Sequence, residues 1–189
     1  ALMPWLTGTA FLHSVMIQEK RNMLKIWNVV LIILTFGLTI VGTFLTRSGI
    51  INSVHAFTKS EIGPAFLIFL AFILVIGFSL LFKRINMLES EHKIDSILCR
   101  ENVFLAQNVL LVGIAFTVLL GTTFPLLAEA VRGTKLSIQA PFFNTIIAPM
   151  GYLLLLLMGI GTLIAWRKSS WEGLLRNFRN PLILATAGT

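Results

Sequence analysis

His13, His55 and His92 are the side chains of this sequence best suited to hold a metal or carry a proton, and Cys99 is its single thiol. A lone cysteine excludes an internal disulfide and a CxxC site. His13 lies in an apolar stretch, four residues before its last apolar position, Ile17. At about 1.5 Å per residue it sits roughly 6 Å inside the end of that stretch. An imidazole there needs a partner. Either a neighbouring helix or interfacial water supplies a hydrogen bond, or the ring ligates a metal or haem iron. His55 follows Arg47 in a segment that is apolar around it. If that segment is helical, Ile51, Val54, His55 and Thr58 share one face, and it lies flat on a membrane surface. His55 is then an ordinary interfacial residue or a ligand at the bilayer edge. Arg47 is an interfacial anchor or a partner for a carboxylate or phosphate. His92, within Glu89-Ser90-Glu91-His92-Lys93-Ile94-Asp95, reads as a solvated surface residue. No carboxylate pair, Ser-His-Asp set or Gly-rich phosphate loop is present.

The elements that must position these groups follow from composition. Of the 189 residues 56% are hydrophobic and 12% charged, and mean hydropathy is +0.88. So few charges cannot cover a soluble globule of this apolar content. A soluble enzyme domain, a disordered tail and a disulfide scaffold are excluded. The net charge of +7 is spread in short clusters between apolar runs, which is a membrane pattern and argues against nucleic acid as a partner.

The expected fold is an all-α polytopic membrane protein in contact with membrane lipid. Four complete transmembrane helices are predicted near 26–46, 62–82, 102–124 and 145–166. Partial spans at 1–17 and 181–189 make the chain read as one transmembrane piece of a larger protein. Lys20, Arg21, Lys25, Lys83, Arg84, Lys93, Arg100, Arg167, Lys168, Arg176 and Arg179 fall on one side, and Arg47, Lys59, Arg132 and Lys135 on the other. The richer side is cytoplasmic by the positive-inside rule, so the short amphipathic segments 47–61 and 125–144 face outward. Gly63-Pro64 suits a helix start, Pro125 is expected to end its span, and Asn144 to cap a helix beginning at Thr145. Trp27 and Trp166 lie where amphipathic rings settle at a cytoplasmic interface.

No Asp, Glu, Lys or Arg falls inside the four complete spans. Thr35, Thr39, Thr43, Ser79, Gln107, Asn108 and Thr117 are mild polar residues, expected to bond to helix backbone or to a neighbour. Phe57, Phe66, Phe69, Phe72, Phe142 and Phe143 read as lipid or helix packing. Some could wall a flat apolar cofactor. A transporter would place polar breaks at mid-membrane, and Gly37 and Gly42, Gly113 and Gly121, or Gly159 and Gly161 could mark them. Such glycines are more commonly close-packing sites. A non-catalytic scaffold would bind no cofactor.

Particular strings add to this reading. Pro4-Trp5-Leu6-Thr7-Gly8-Thr9-Ala10-Phe11-Leu12-His13-Ser14 resembles the stretch that follows the tryptophan-rich WWD signature of the haem-handling family. Gly42-Thr43-Phe44-Leu45-Thr46-Arg47-Ser48-Gly49, followed by Ser53-Val54-His55-Ala56-Phe57, is similar to the CcmF branch of that family, the haem lyase subunits of bacterial cytochrome c maturation. Ala140-Pro141-Phe142-Phe143-Asn144 and Met158-Gly159-Ile160-Gly161 resemble later motifs of that branch, with Phe142 where Tyr is common. The nitrite-reductase maturation paralogue shares much of the pattern.

The resemblance covers essentially the whole chain. It implies a multi-pass protein of the bacterial inner membrane that binds haem and attaches it to the CxxCH thiols of apocytochrome c. It also implies two histidine pairs. His13 matches a transmembrane histidine that holds haem b. His55 matches an outward-facing histidine that ligates haem delivered by the chaperone CcmE. The partner of each lies outside this sequence. Other cytochrome c maturation subunits are implied as partners.

Overall fold

The computed structural model describes residues 2–47, 63–89, 99–133, 138–164 and 171–187. They form six α-helices: α1 (Leu2–Arg21), α2 (Lys25–Arg47), α3 (Gly63–Lys83), α4 (Arg100–Arg132), α5 (Ala140–Leu163) and α6 (Trp171–Ala187), with a short 3-10 turn at Ile85–Leu88. No strand occurs among the described residues. The fold is all-α, and α2, α3, α4 through Glu129, and α5 are each long and apolar enough to cross a membrane.

The helices stand side by side in the order α3, α2, α1, α4, α5. The central helix is therefore α1, although it comes first in the chain. Its stripe Met3, Leu6, Thr7, Ala10, Ser14 and Ile17 is buried, repeating at the three- and four-residue spacing of one helix face. Leu6 and Ala10 meet Leu31 of α2 and Leu111, Ile114 and Ala115 of α4 in the core, with Phe11, Trp27, Ile147 and Met150 packed around them. Ala10, with no exposed surface, lets the backbones approach as small residues do between membrane helices. On the outer helices most large apolar residues are exposed, among them Phe69, Phe72 and Val75 of α3 and Tyr152, Leu155 and Leu156 of α5. Such surface suits lipid or further helices.

A tight turn joins α1 to α2. Asn22 and Leu24 take positive φ of 54° and 63°, and the Asn22 N–H donates to the Gln18 carbonyl at 2.8 Å. Asn tolerates this left-handed cap, whereas for Leu it is strained. The turn brings Asn28 within 2.5 Å of Gln18, to whose Oε1 it donates.

Three local expectations are corrected. Pro125 does not end its helix, because α4 continues through it to Arg132. Prolines are tolerated within membrane helices where neighbouring helices and Ser or Thr hydroxyls satisfy the loosened backbone. Here the Thr122 and Thr123 hydroxyls donate to the Val118 and Leu119 carbonyls, in the turn before the Gly121 carbonyl that Pro125 leaves without its helical donor. The helix ends instead at Gly133, whose φ of 66° and N–H bond to the Glu129 carbonyl form a left-handed cap that glycine adopts without steric cost. Asn144 is no cap, because α5 begins at Ala140 with Pro141 in its first turn. Pro141 fixes a helical φ and gives up an N–H that has no intrahelical acceptor there. Finally, Pro181 opens no new element but lies inside α6, which begins at Trp171.

Candidate functional site

His13 projects from the middle of α1 toward α4, where its ring stacks on Phe104 with centroids 5.3 Å apart and planes 21° apart. Beside the pair is a cavity of about 300 Å³, lined by His13, by Arg100, Phe104 and Gln107 of α4, and by Met158, Gly161 and Thr162 of α5. It opens to one side. The Nδ1 atom of His13 is buried and meets no hydrogen-bond partner among the described residues. Leaving a polar atom so placed costs about 1–3 kcal/mol. No hydrogen bond to a neighbouring helix among the described residues satisfies Nδ1.

Two consecutive residues of α4 tie the cavity's end together. The Arg100 Nε donates to the Gly161 carbonyl at 2.9 Å and an Nη to the Thr162 carbonyl at 2.8 Å. The last turn of α5 has no basic residue of its own, so Arg100 supplies the positive charge that favours a helix C-terminus. Asn177 of α6 adds a bond to the Leu163 carbonyl at 3.2 Å. Glu101 turns the other way, toward α1, and its carboxylate lies 3.4 Å from the Arg21 Nε. Both side chains are buried, 4% and 8% exposed. Just before them, burial pushes the Cys99 thiol above its ordinary pKa, and the neighbouring Glu101 carboxylate adds to the shift. Cys99 is thus a structural thiol.

The mild polar residues divide into two groups. Thr39, Thr43 and Thr117 donate to carbonyls four residues back, and the Thr35 hydroxyl donates to that of Thr7 across the α1–α2 interface at 2.9 Å. Gln107 and Asn108 were expected to behave similarly and do not. Both are buried, and Gln107 Oε1 and both amide atoms of Asn108 have no partner among the described residues. Ser14 Oγ on α1 is buried in the same state.

The glycines proposed as transporter breaks sit in unbroken helices. Gly37 is packed by Leu74, Gly113 by Met150, Gly121 by Phe143 and Gly161 by Val103, while Gly42 and Gly159 have open space. Arg47 ends α2 on the exposed surface. His55, His92 and Trp166 lie outside the described residues, so the structure joins neither of the other histidines to His13. No group of three or more His, Cys, Asp or Glu suited to a metal occurs among the described residues. Sequence reasoning picked out Met158 only as part of a family motif, and it placed neither Met158 nor Phe104 beside His13 and did not find the clamp role of Arg100. Arg100 was counted only as a charge setting orientation. An Arg-Glu pair at the very start of an apolar run was the available signal.

No family model matches the sequence. It is 43% identical over 171 residues to the cytochrome c-type biogenesis protein CcmF of Pseudomonas fluorescens, covering 89% of this chain and 26% of that protein. It is 40% identical over 191 residues to the CcmF of Escherichia coli, covering 100% of this chain and 29% of that one. A solved structure described as cytochrome c heme lyase CcmF superposes with a TM-score of 0.69 at 39% identity, over 98% of this chain and 26% of that one. The chain is CcmF-like in sequence and fold. It spans about a quarter of the length of the curated relatives it matches. Like the CcmF proteins it resembles, it is a multi-pass membrane protein built from apolar helices, and those relatives serve cytochrome c-type biogenesis.

Proposed function

We propose that this chain provides haem-holding helices of a cytochrome c haem lyase in the bacterial inner membrane, with His13 as an axial ligand of a resident haem b. The observation that carries the proposal is the cavity beside His13. The His13 side chain lines a space of about 300 Å³ walled by Phe104 and Met158, and its buried Nδ1 has no hydrogen-bond partner among the described residues. An imidazole in an apolar, water-poor setting fits the donor chemistry of haem iron. Haem, when bound, would supply one-electron chemistry, keeping a second, incoming haem reduced.

The chain's own residues do the positioning. Phe104 stacks on the imidazole and limits its rotation. The Arg100 and Glu101 ties hold α5 and α1 against α4, so that the walls keep their spacing. Fixed walls fix the orientation of a bound ring. On this reading His55 ligates the incoming haem, delivered by CcmE, at the outer face. The nucleophiles are the two CxxCH thiols of the apocytochrome c substrate, each adding across a vinyl group of haem to form a thioether. Other cytochrome c maturation subunits present the substrate.

The test is the visible spectrum of the complete purified protein. A Soret band is expected in the wild type and is lost in His13→Ala. A colourless, folded wild type leaves a scaffold instead.

A further inference from the structure

We propose that Gln107 is a positioning residue for His13: its amide carbonyl accepts the Nδ1–H of the imidazole and so leaves Nε2 as the nitrogen for iron. The inference rests on the haem reading above and deepens it. Among the described residues, two side chains that line the cavity carry a buried polar atom with no hydrogen-bond partner, His13 through Nδ1 and Gln107 through Oε1. Ser14 and Asn108 are also buried with unbonded polar atoms, but neither lines the cavity.

The two atoms are chemically complementary. A neutral imidazole has one donor and one acceptor nitrogen, and the hydrogen bond made by one decides which remains free to bind a metal. His13 is half-buried, and Nδ1 is its buried nitrogen. Iron entering from the cavity reaches Nε2, which must then carry no proton. The proton belongs on Nδ1, and an Nδ1–H needs an acceptor. The Gln107 carbonyl oxygen is one, whereas Arg100 on the same wall has donors only.

The helices place the amide suitably. Positions 104 and 107 are three residues apart on α4, so the ring that stacks on His13 and the amide share one face. On the α5 side, Gln107 Nε2 lies 3.6 Å from where a Cβ on Gly161 would sit. The oxygen and nitrogen of an amide lie on opposite sides of its carbon, which leaves the carbonyl to the α1 side. Phe104 thus sets the plane of the imidazole and Gln107 sets its proton. In this structure the two atoms do not bond each other. A turn of the flexible Gln107 side chain, or one bridging water, closes the pair and satisfies both. Left apart, each is a buried polar group without a partner, a state that folded proteins seldom keep. An accepted Nδ1–H also makes the imidazole a more basic ligand, which favours ferric iron.

The experiment uses the full-length protein with its haem and two variants. Gln107→Met keeps the side-chain length without the amide. Asn108→Leu removes the neighbouring buried amide, which lies off the cavity wall. Redox titration followed in the visible spectrum should give a higher midpoint potential in Gln107→Met, by about tenfold in the ferrous-to-ferric ratio, or about 59 mV for one electron. Asn108→Leu should leave the potential unchanged. The 15N NMR signals of histidine-labelled protein stripped of haem, with His13→Ala identifying the resonances, should place the proton on Nδ1 in the wild type and shift it toward Nε2 in Gln107→Met. A general loosening of the fold would move both variants alike. A potential unmoved in Gln107→Met, an equal rise in Asn108→Leu, or an Nδ1 proton indifferent to residue 107 overturns the proposal. If His13→Ala keeps the Soret band, the haem reading fails and the role toward iron with it, while the 15N signals still decide whether Gln107 holds the proton.

Discussion

Cutting the Arg21–Glu101 pair tests whether the His13 cavity depends on a tie between α1 and α4. The N–O separation is 3.4 Å and the two side chains are 8% and 4% exposed. At an effective dielectric near 20 the attraction at that distance is about 5 kcal/mol before desolvation is subtracted. In bulk water it would be only about 1 kcal/mol. Truncating one partner of a buried pair costs about 3–5 kcal/mol, chiefly because the other charge loses its counterion. An exposed pair is worth about 0–1 kcal/mol. Glu101→Leu should therefore destabilise the full-length protein by about 3 kcal/mol, and Arg21→Met by a similar amount. The double variant should recover most of the loss, since apolar replacements of similar volume substitute well for a buried pair. Unfolding in increasing sodium dodecyl sulfate, run as a double-mutant cycle, measures the coupling. A coupling below about 1 kcal/mol would refute the argument and class the pair with surface contacts. If the tie shapes the cavity, Glu101→Leu should also retain less haem than a variant equally destabilised elsewhere.

Other outcomes follow from single positions. A Cβ at Gly121 would lie 2.5 Å from the Phe143 ring, whereas Gly42 has open space. Gly121→Ala should cost about 1–3 kcal/mol by overpacking, and Gly42→Ala should be close to neutral by the same unfolding assay. The Cys99 thiol is 1% exposed and its pKa is raised by burial. The thiolate fraction at neutral pH is therefore below that of a free cysteine, and alkylation by iodoacetamide in the folded protein should be slow near pH 7. The rate should climb only at more alkaline pH than for a free thiol. If His55 ligates incoming haem, His55→Ala should stop haem attachment to cytochrome c while leaving the His13-dependent Soret band. Loss of both would refute the division between the two histidines.

Hydropathy made the helical class legible, because a bilayer demands runs of a fixed length and those runs are plain in 26–46 and 62–82. Helix ends were less legible. Pro125 and Asn144 carry breaker and cap signals that hold in water, yet α4 runs on through Pro125 to Arg132 and α5 begins upstream of Asn144, where Pro141 already suits a first turn. His13 stood out by type alone, since an imidazole in an apolar run has few explanations. The rest of its site did not. Phe104 looks like any lipid-facing phenylalanine, and only the pairing of α1 with α4, remote in sequence, shows it lying on the imidazole. Arg100 carried a topological meaning in the sequence that hid its structural one. Gln107 and Asn108 were noticed, but periodicity could not show that they would go without hydrogen bonds.

The side-by-side order of the helices bears on how such a chain is made. Synthesis delivers α1, α2 and α3 in turn, each beside its predecessor. The chain must then double back from Lys83 to Arg100 to set α4 on the vacant flank of α1. Three interhelical spacings of about 9 Å separate α3 from α4, and the intervening stretch has ample reach. The turn at Ile85–Leu88 already rests on α2, with Lys25 donating to the Glu89 carbonyl, as a path back across the row requires. Until α4 has emerged from the ribosome, His13 stays uncovered on that flank. If His13 holds haem, as proposed, the Phe104 wall of its site exists only once α4 has returned, and a mutation that delays that return should yield inserted but cofactor-free protein.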